Sequence, residues 1–338
     1  MPDRARILLV LCLLAASSTA LAWNRGAANR FATLPAGTAH PEGITVDAAG
    51  NVFVANFDVS HASGPGQVVV FDRSGRLLRV LDVAGSSNLL LGIGFHRVGE
   101  TTELLVVDFG AKNVLRVDPV TGASSVFTTI PGGASAGPNS LAFDAAGNVY
   151  VSDSFQGVVW QVAPAGGAAS VWAQGPALQT TGVPPFGANG LAFDWAGTAL
   201  LVANTGDDTV VRIPVATRAP EVFVNGVNGA DGLAVDPDGN VWVVANQADE
   251  IVVVDPTDGH AIAKLGDFDG LSSDGAPVGL LFPASLAFHG EFVYVTNLAL
   301  DLRLFSPTFD AVDSAWAAAV ERHTVARLSR RFAPARGE

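Results

Sequence analysis

The chain has 338 residues, of which 49% are hydrophobic, and its 32 Asp and Glu against 19 Lys and Arg give a formal net charge of −13. This acidic balance, with no basic stripe before the C-terminal tail, excludes a nucleic-acid partner and favours cations over anionic partners. The single cysteine, Cys12, lies in an N-terminal apolar run, so disulfides, thiolate zinc sites and cysteine nucleophiles are excluded from the rest of the chain.

Residues 1–22 have the pattern of a secretory signal peptide. Two arginines precede an apolar run at residues 7–16, and residues 20–22 (ALA) have the small-x-small form of a cleavage site. The apolar run is too short to span a membrane, and no later run of eighteen apolar residues occurs. We expect a mature protein that begins near Trp23, is secreted or periplasmic, and has no stable membrane insertion.

Six copies of one pattern follow. The four strongest include "PEGITVDAAGNVFVANF" at residue 41 and "ADGLAVDPDGNVWVVANQ" at residue 230, and equivalent positions recur every 42 to 53 residues. Each copy contains short apolar runs, rich in β-branched residues and separated by Gly, Asp and Pro turns, which are typical of strands. Four strands per repeat of this length are typical of a β-propeller. The sequence therefore predicts an all-β, six-bladed β-propeller with four-stranded blades over residues 23–308.

The two ends of the chain complete this prediction. The sixth copy lacks a fourth strand and ends near Phe305, and "RFATLP" at residues 30–35 has the pattern to supply that strand from the N-terminus and close the ring. Residues 309–338 break the repeat. Four apolar residues have helical spacing, and we therefore expect a short helical or flexible C-terminal tail outside the propeller. They are Trp316, Val320, Val325 and Leu328.

One polar position recurs at the start of the inner strands. In a four-stranded blade, the residue just before the inner strand lies at the mouth of the central channel. In blade order these residues are Glu42, Leu91, Asn139, Asn189, Asp231 and Ala284. Two carboxylates and two amide oxygens that converge on one axis are suitable ligands for a hard divalent cation. The six histidines do not share a repeat position, which argues against a histidine-rich zinc site.

A turn role is the simpler explanation for any single Asn or Asp before a strand, because its side chain bonds nearby backbone. That explanation suits the ends of the second strands, which carry Asn56, Asp108, Asp153, Asn204, Asn246 and Asn297. It does not suit Glu42, because Glu is a poor turn former. Glu42, Asn189 and Asp231 are therefore the predicted metal ligands.

The longest connections, at residues 57–66, 177–188 and 266–282, are predicted on the same face, where long loops commonly shape a binding site. Phenylalanines on this rim would form an apolar funnel, and packing between blades is the alternative. They are Phe57, Phe109, Phe155 and Phe186. We expect substrate contacts from Asn139, Asp153, Phe57 and Phe155.

These residues resemble those of the six-bladed gluconolactonase/regucalcin (senescence marker protein) family over residues 30–306. The family pattern has Glu-Gly in the first blade, Asn in the third, Asn-Gly in the fourth and Asp-Gly in the fifth. The matching positions are Glu42-Gly43, Asn139, Asn189-Gly190 and Asp231-Gly232. The resemblance implies one divalent cation, Ca²⁺ first and Mn²⁺, Zn²⁺ or Mg²⁺ as alternatives, held by Glu42, Asn189 and Asp231. Asn139 would join the coordination or orient the substrate.

The resemblance also implies hydrolysis of a lactone or other ester substrate, with Asp231 as the catalytic base. One position departs from the family pattern: Gly137 stands where the family has an Arg for sugar-acid substrates, which argues against a sugar lactone. The strand consensus also resembles NHL repeats and streptogramin lyases, but those lyases are seven-bladed with a catalytic His. The alternative function is therefore a non-catalytic NHL-like scaffold that binds a protein or small ligand around a structural calcium ion.

Overall fold

The computed structural model describes residues 25–60, 63–310 and 313–332, so the predicted signal peptide lies outside the described residues. The described chain forms six four-stranded antiparallel sheets, one two-stranded hairpin and a four-residue α-helix. The inner strand of each sheet packs against the inner strands of the two neighbouring sheets, and the sixth packs against the first. The predicted six-bladed propeller is thereby confirmed. No helix among the described residues is long and apolar enough to cross a bilayer.

The strands are numbered in chain order, beginning with β1 (Asn29–Thr33). From the axis outward, blade 1 contains β2 (Pro41–Val46), β3 (Val52–Asn56), β4 (Gln67–Phe71) and β5 (Leu77–Asp82). Blade 2 contains β6 (Leu90–Val98), β7 (Thr101–Asp108), β8 (Asn113–Val117) and β9 (Ser124–Thr129). Blade 3 contains β10 (Pro138–Phe143), β11 (Val149–Asp153), β12 (Val158–Val162) and β13 (Ser170–Gln174).

Blade 4 contains β14 (Ala188–Phe193), β15 (Ala199–Asn204), β16 (Thr209–Pro214) and β17 (Glu221–Asn225). Blade 5 contains β18 (Ala230–Val235), β19 (Val241–Ala245), β20 (Glu250–Val254) and β21 (Ala261–Leu265). The hairpin of β22 (Phe268–Leu271) and β23 (Pro277–Gly279) follows. Blade 6 contains β24 (Pro283–His289), β25 (Phe292–Asn297) and β26 (Thr324–Ser329), with β1 as its outer strand.

The core lies between the blades. Leu81 of blade 1, for example, shares a buried cluster with Leu104 and Leu115 of blade 2, and an equivalent cluster joins blades 5 and 6. The second strands are buried on both faces because each blade is covered by a neighbour on either side. Their sequences are therefore continuous apolar runs rather than alternating ones. Burying each such Val or Leu side chain contributes about 1.5–3 kcal/mol.

The sequence D-x-x-G recurs at residues 47–50, 144–147 and 236–239, and the far-face hairpins explain why. In blade 1, Asp47 Oδ1 accepts hydrogen bonds from the backbone N–H groups of Ala49 and Asn51, at 2.9 and 2.8 Å. Gly50 has a φ of 84°, which a residue with a side chain rarely adopts. Asp144 and Asp236 make the same pair of bonds in blades 3 and 5. These turns set the register that places the other end of each inner strand at the channel mouth.

The sixth blade confirms one prediction and corrects another. Strand β1 pairs with β26, from Asn29↔Arg327 to Thr33↔Thr324, so the N-terminal segment does close the ring. The third strand of this blade, however, is β26, which lies within residues 309–338, and the prediction that this segment is a tail outside the propeller is wrong. Its only helix among the described residues is α1 (Ser314–Ala317).

Burial on both faces of β26 explains the mistaken helical pattern. Val325 packs in the cluster between blades 6 and 1, whereas Leu328 packs in the cluster between blades 5 and 6. A strand that is covered on both faces has no polar alternation, so its apolar spacing resembles that of a helix. Residues 298–310 and 313–323 therefore belong to a long excursion on the channel-mouth face before the chain returns to complete the blade.

Candidate active site

Each of the six inner strands begins with the same irregularity. In blade 5, Ala230 pairs with Ala245 and Leu233 with Val243, so the inner strand contains one extra residue, and the other five blades show the same shift. A β-bulge re-aims the side chain that it contains. The side chains at this position are Glu42, Leu91, Asn139, Asn189, Asp231 and Ala284. The fold thus brings the predicted position of all six blades to the channel mouth.

The glycine that follows in the Glu-Gly and Asp-Gly pairs has a packing reason. A Cβ on Gly43 would lie 2.2 Å from the carbonyl oxygen of Leu91 in the next blade, and a Cβ on Gly232 would lie 2.6 Å from that of Ala284. The inner strands therefore approach too closely for a side chain. These dipeptides combine one residue that faces the channel with one that lets adjacent blades meet.

A cavity of about 450 Å³, counting its open mouth, lies at this face. Its polar lining includes all four predicted ligands, Glu42, Asn139, Asn189 and Asp231, together with Thr205 and Asn246. The remaining lining is apolar: Phe57, Leu91, Pro184, Phe186, Phe282, Leu298, Leu300 and Leu302. The four polar positions, which are far apart in sequence, therefore share one site.

Hydroxyl groups fix the orientation of the two asparagines. Thr205 Oγ1 donates its single proton to the carbonyl oxygen of Ala230 at 2.7 Å, so toward Asn189 it acts as an acceptor, from Nδ2 at 2.8 Å. Ser154 Oγ likewise donates to Ala188 and accepts from Asn139 Nδ2 at 3.1 Å. Both amide nitrogens are held in this way. The Oδ1 atom of each asparagine is therefore the atom left to bind a ligand.

The two carboxylates are buried without a cationic partner among the lining residues. Asp231 Oδ2 accepts a hydrogen bond from Asn246 Nδ2 at 3.0 Å, whereas Asp231 Oδ1 and Glu42 Oε2 have no hydrogen-bond partner. Burial raises the pKa of Asp231 to about 7. The pKa of Glu42 is raised well above its usual value, first by burial and then by the charge of Asp231. Keeping both of these buried carboxylates ionised at neutral pH therefore requires a compensating positive charge.

These residues fit a hard divalent cation. Glu42 Oε2, Asn139 Oδ1 and Asp231 Oδ1 are buried oxygens without hydrogen-bond partners. Unsatisfied buried oxygens are rare in folded proteins and indicate a bound partner, and oxygen is the ligand type that Ca²⁺ prefers. Across the described residues, no three His, Cys, Asp or Glu side chains cluster closely enough to hold a metal. A cation here would depend on the amide oxygens as well as the two carboxylates.

The predicted substrate-contacting residues divide into two groups. Asn139 and Phe57 line the cavity. Phe155 lies on the rim, 46% exposed, with its ring centroid 5.5 Å from that of Phe186, which does line the cavity. Phe109 lies between them and Phe57, 5.6 Å from Phe155 and 5.7 Å from Phe57. The predicted aromatic rim is therefore present as one contiguous set of rings.

Asp153 is placed differently from the prediction. Its Oδ1 accepts hydrogen bonds from the backbone N–H groups of Gly137 and Gln156, and its Oδ2 accepts from Trp160 Nε1 at 3.2 Å. The residue is fully buried within blade 3 and is not part of the cavity lining. The prediction that Asp153 contacts substrate is wrong, because local donors use both of its oxygens.

Several functional features were not apparent in the sequence. Leu298, Leu300 and Leu302 come from the excursion after β25, and they supply much of the apolar wall. The alternating leucines of "NLALDLRL" resemble a strand, which concealed this role. The serine or threonine directly after the second strand in blades 3 and 4 was the one local signal for the groups that orient Asn139 and Asn189.

Comparison with known proteins agrees with this arrangement. Residues 99–266 match the SMP-30/Gluconolactonase/LRE-like region, whereas no curated protein matches the chain by sequence. A luciferin-regenerating enzyme has a similar fold, with a TM-score of 0.63, 15% identity and coverage of 86% of this chain and 92% of that one. For the calcium-binding protein regucalcin from Agrobacterium tumefaciens, the TM-score is 0.60, the identity 19% and the coverage 92% and 99%.

A more distant match is virginiamycin B lyase from Staphylococcus aureus, with a TM-score of 0.55, 11% identity and coverage of 88% of this chain and 83% of that one. At these identities the structures share the fold. The sequence match is the more specific finding, because it spans Asn139, Asn189 and Asp231. Through this region, the chain is similar in sequence to the SMP-30/gluconolactonase/LRE-like family.

Proposed function

We propose that this protein is a divalent-metal-dependent hydrolase of lactones, acting at the channel mouth. The observation that carries the proposal is the convergence of Glu42 Oε2, Asn139 Oδ1 and Asp231 Oδ1, all buried and without partners, in one cavity. The match of residues 99–266 to the SMP-30/Gluconolactonase/LRE-like region supports a hydrolase, and the calcium-binding description of regucalcin supports a divalent cation.

Four residues would hold the cation: Glu42, Asn189 and Asp231, with Asn139 joining them. Ca²⁺ fits this all-oxygen set best, and Mn²⁺, Mg²⁺ or Zn²⁺ are alternatives. A bound divalent cation supplies positive charge that polarises an ester carbonyl and makes nearby water more acidic. Thr205 and Ser154 keep the asparagine oxygens aimed at the cavity, so the site is ordered before a ligand arrives.

Asp231 acts as the general base. As a water oxygen bonds to the lactone carbonyl carbon, Asp231 takes the proton that the water releases. When the ring C–O bond breaks, Asp231 returns that proton to the departing oxygen, and the product is a hydroxy acid. Asn246 holds Oδ2 of Asp231 with a hydrogen bond of 3.0 Å, and burial raises the pKa of this carboxyl above its usual value in the metal-free protein, which favours proton acceptance.

Asp231→Asn tests this assignment, because it preserves the shape of the side chain and removes the proton acceptor. We expect kcat for lactone hydrolysis to fall by about 10²–10⁴-fold. Asp258→Asn is the matched control, an exposed aspartate in the same blade, and it should retain full activity. Full turnover by Asp231→Asn would contradict the role given to this residue.

Calcium titration of chelator-treated protein separates catalysis from a scaffold role. We expect one site by calorimetry, abolished in Asp231→Ala, and lactone turnover that requires the metal. Binding that raises the melting temperature without any turnover would favour the NHL-like scaffold with a structural ion. The proposed location, secreted or periplasmic, rests on the signal-peptide pattern of residues 1–22.

A further inference from the structure

We infer that the preferred substrates are uncharged lactones with an alkyl or aryl substituent, rather than polyhydroxylated or anionic lactones. This inference rests on the proposed function and names the substrate class of the same site. It is carried by the apolar part of the cavity and its aromatic rim, neither of which takes part in holding a cation.

Apart from the polar residues that would surround the cation, the cavity lining is apolar and offers little that could recognise a hydroxyl-rich or negatively charged group. Its described lining includes no Lys, Arg or His, so a substrate carboxylate would meet Glu42 and Asp231 without a cationic partner from the chain. Lys112 lies over the ring of Phe109 at the rim, 4.1 Å from its centroid, and is not part of the lining. A hydroxyl group placed against the apolar wall would lose its hydrogen bonds to water without replacement.

The apolar wall is built in advance of binding. Leu298, Leu300 and Leu302 are each at most 6% exposed and belong to one packed cluster with Phe57 and Phe282. A wall that is already ordered costs little conformational entropy when a ligand arrives, so most of the apolar contact is available as affinity.

Backbone contacts at both ends hold this wall in place. The carbonyl oxygen of Leu298 lies 3.2 Å from His40 Nδ1, which is itself 3.1 Å from His323 Nε2. Asp301 caps the short 3-10 turn that contains Leu302 by accepting a hydrogen bond from the Arg303 N–H at 3.0 Å. The leucines are therefore fixed features of the cavity rather than a loose loop.

The aromatic rim extends the apolar surface on the blade 3 side. A Cβ built on Gly137 would lie 2.7 Å from two ring atoms of Phe155, so the ring occupies the space that a longer residue at position 137 would need. Phe155 in turn contacts Phe186, which lines the cavity. The entrance on this side therefore presents aromatic faces where a polar side chain would otherwise stand.

A homologous series of γ-lactones tests the inference, with the alkyl substituent lengthened from methyl to hexyl. We expect kcat/KM to rise by about three- to fourfold per added methylene until the cavity is filled. Glucono-δ-lactone should be hydrolysed at least tenfold less efficiently than a δ-lactone that carries a pentyl group. A flat series, or a preference for the sugar lactone, would overturn this substrate class while leaving lactone hydrolysis intact.

Binding of 2-alkylcyclopentanones separates the two proposals, because these ketones match the ring and chain but contain no ester. Affinity by calorimetry should rise along the same series. If no lactone is hydrolysed but this rise is observed, the proposed function fails and the apolar selectivity of the cavity stands. If the ketones bind with no dependence on chain length, the selectivity is overturned.

Phe186→Ala tests whether the aromatic rim contributes to the preference for longer alkyl substituents. Phe186 is only partly buried, so the substitution should leave the melting temperature within a few degrees of wild type while reducing the hexyl-over-methyl preference by about tenfold. Trp195→Ala is the matched control, because Trp195 is a 68% exposed aromatic residue in a far-face turn. An unchanged preference in Phe186→Ala would remove the rim from the proposal.

Discussion

At the scale of single residues, the site depends on two hydroxyl groups that hold the neighbouring asparagines in place. Thr205 and Ser154 each have one proton, and each gives it to a carbonyl of the next blade. Because the hydroxyl can then only accept, it binds the Nδ2 atom of the neighbouring asparagine and leaves the Oδ1 atom facing the cavity. The orientation of Asn189 is thus set by Thr205, which donates to Ala230 of the next blade and can only accept from Asn189.

Thr205→Val should therefore weaken metal binding although it changes none of the four proposed metal ligands. The valine keeps the shape but leaves Asn189 Nδ2 and the Ala230 carbonyl oxygen unpaired, which costs about 1–3 kcal/mol. We expect calcium affinity to fall about tenfold by calorimetry. Thr217→Val, at an exposed turn, is the control. An unchanged dissociation constant would mean that the threonine does not orient the asparagine.

The raised pKa of Asp231 also leads us to expect a pH dependence of the free energy of unfolding of the metal-free protein. Burial raises its pKa from 3.8 to about 7, so the folded chain retains a proton that the unfolded chain releases near pH 4. Between about pH 4 and pH 7, the free energy of unfolding should therefore fall as the pH rises. Denaturant titrations with chelator should show this fall, and Asp231→Asn should reduce it. Equal slopes for the two proteins would contradict the assignment.

At the scale of elements, the excursion that follows β25 both supplies the apolar wall and returns the chain to β26. A pair of buried aspartates joins this excursion to blade 5. Asp249 accepts a hydrogen bond from the Phe282 N–H at 2.7 Å, and Asp313 packs beside it at the start of α1. Burial, and then the charge of Asp313, raises the pKa of Asp249 to about 8.

This pair gives a second pH-dependent contribution with the same sign. The folded chain keeps a proton on the pair that the unfolded chain has lost, so stability should decline from about pH 4 to pH 8 and then level off. Asp249→Asn keeps the acceptor for Phe282 and tolerates the left-handed backbone at φ 52°. We expect it to be more stable than wild type at pH 8–9 in denaturant titrations, whereas Asp258→Asn should match wild type. A loss of stability at pH 9 would disprove this explanation.

At the scale of the whole molecule, the ring is closed by a strand from the other end of the chain. Strand β1 covers the outer edge of β26, and Ala32 and Leu34 are buried there. Removal of residues 25–36 should lower the free energy of unfolding by at least about 3 kcal/mol, measured by thermal and denaturant melting. An unchanged transition would show that closure contributes nothing.

A circular permutant distinguishes closure from a general effect of truncation. Asn29 lies opposite Arg327 in the antiparallel pair of β1 and β26. A short glycine linker placed after residue 332 would therefore allow β1 to follow β26 directly in the chain and to pair with it as a hairpin. Moving residues 28–35 to that position should restore much of the stability. A permutant as unstable as the truncated protein would contradict the closure role.

The repeat pattern was enough to predict the six blades, the closing strand and the four polar positions of the site. The turns and the polar positions are local features: the D-x-x-G turn of Asp47 and the Glu42-Gly43 pair depend on residues close in sequence. The closing strand was predictable because the sixth copy visibly lacked a strand. Asp153 was assigned wrongly because the sequence does not show whether the carboxylate oxygens of an aspartate at a strand end face a cavity or accept hydrogen bonds from nearby N–H groups. The tail was assigned wrongly because β26 is buried on both faces.

The fold class and the residues at the channel mouth follow from the amino-acid sequence, because period, turn chemistry and strand composition act within one repeat. The surroundings of these residues depend on how the blades pack together. The unpaired oxygens of Glu42 and Asp231, the hydroxyl that orients Asn189 and the leucine wall of the excursion all depend on contacts between blades. Such contacts join residues that are distant in sequence, and no local pattern encodes them.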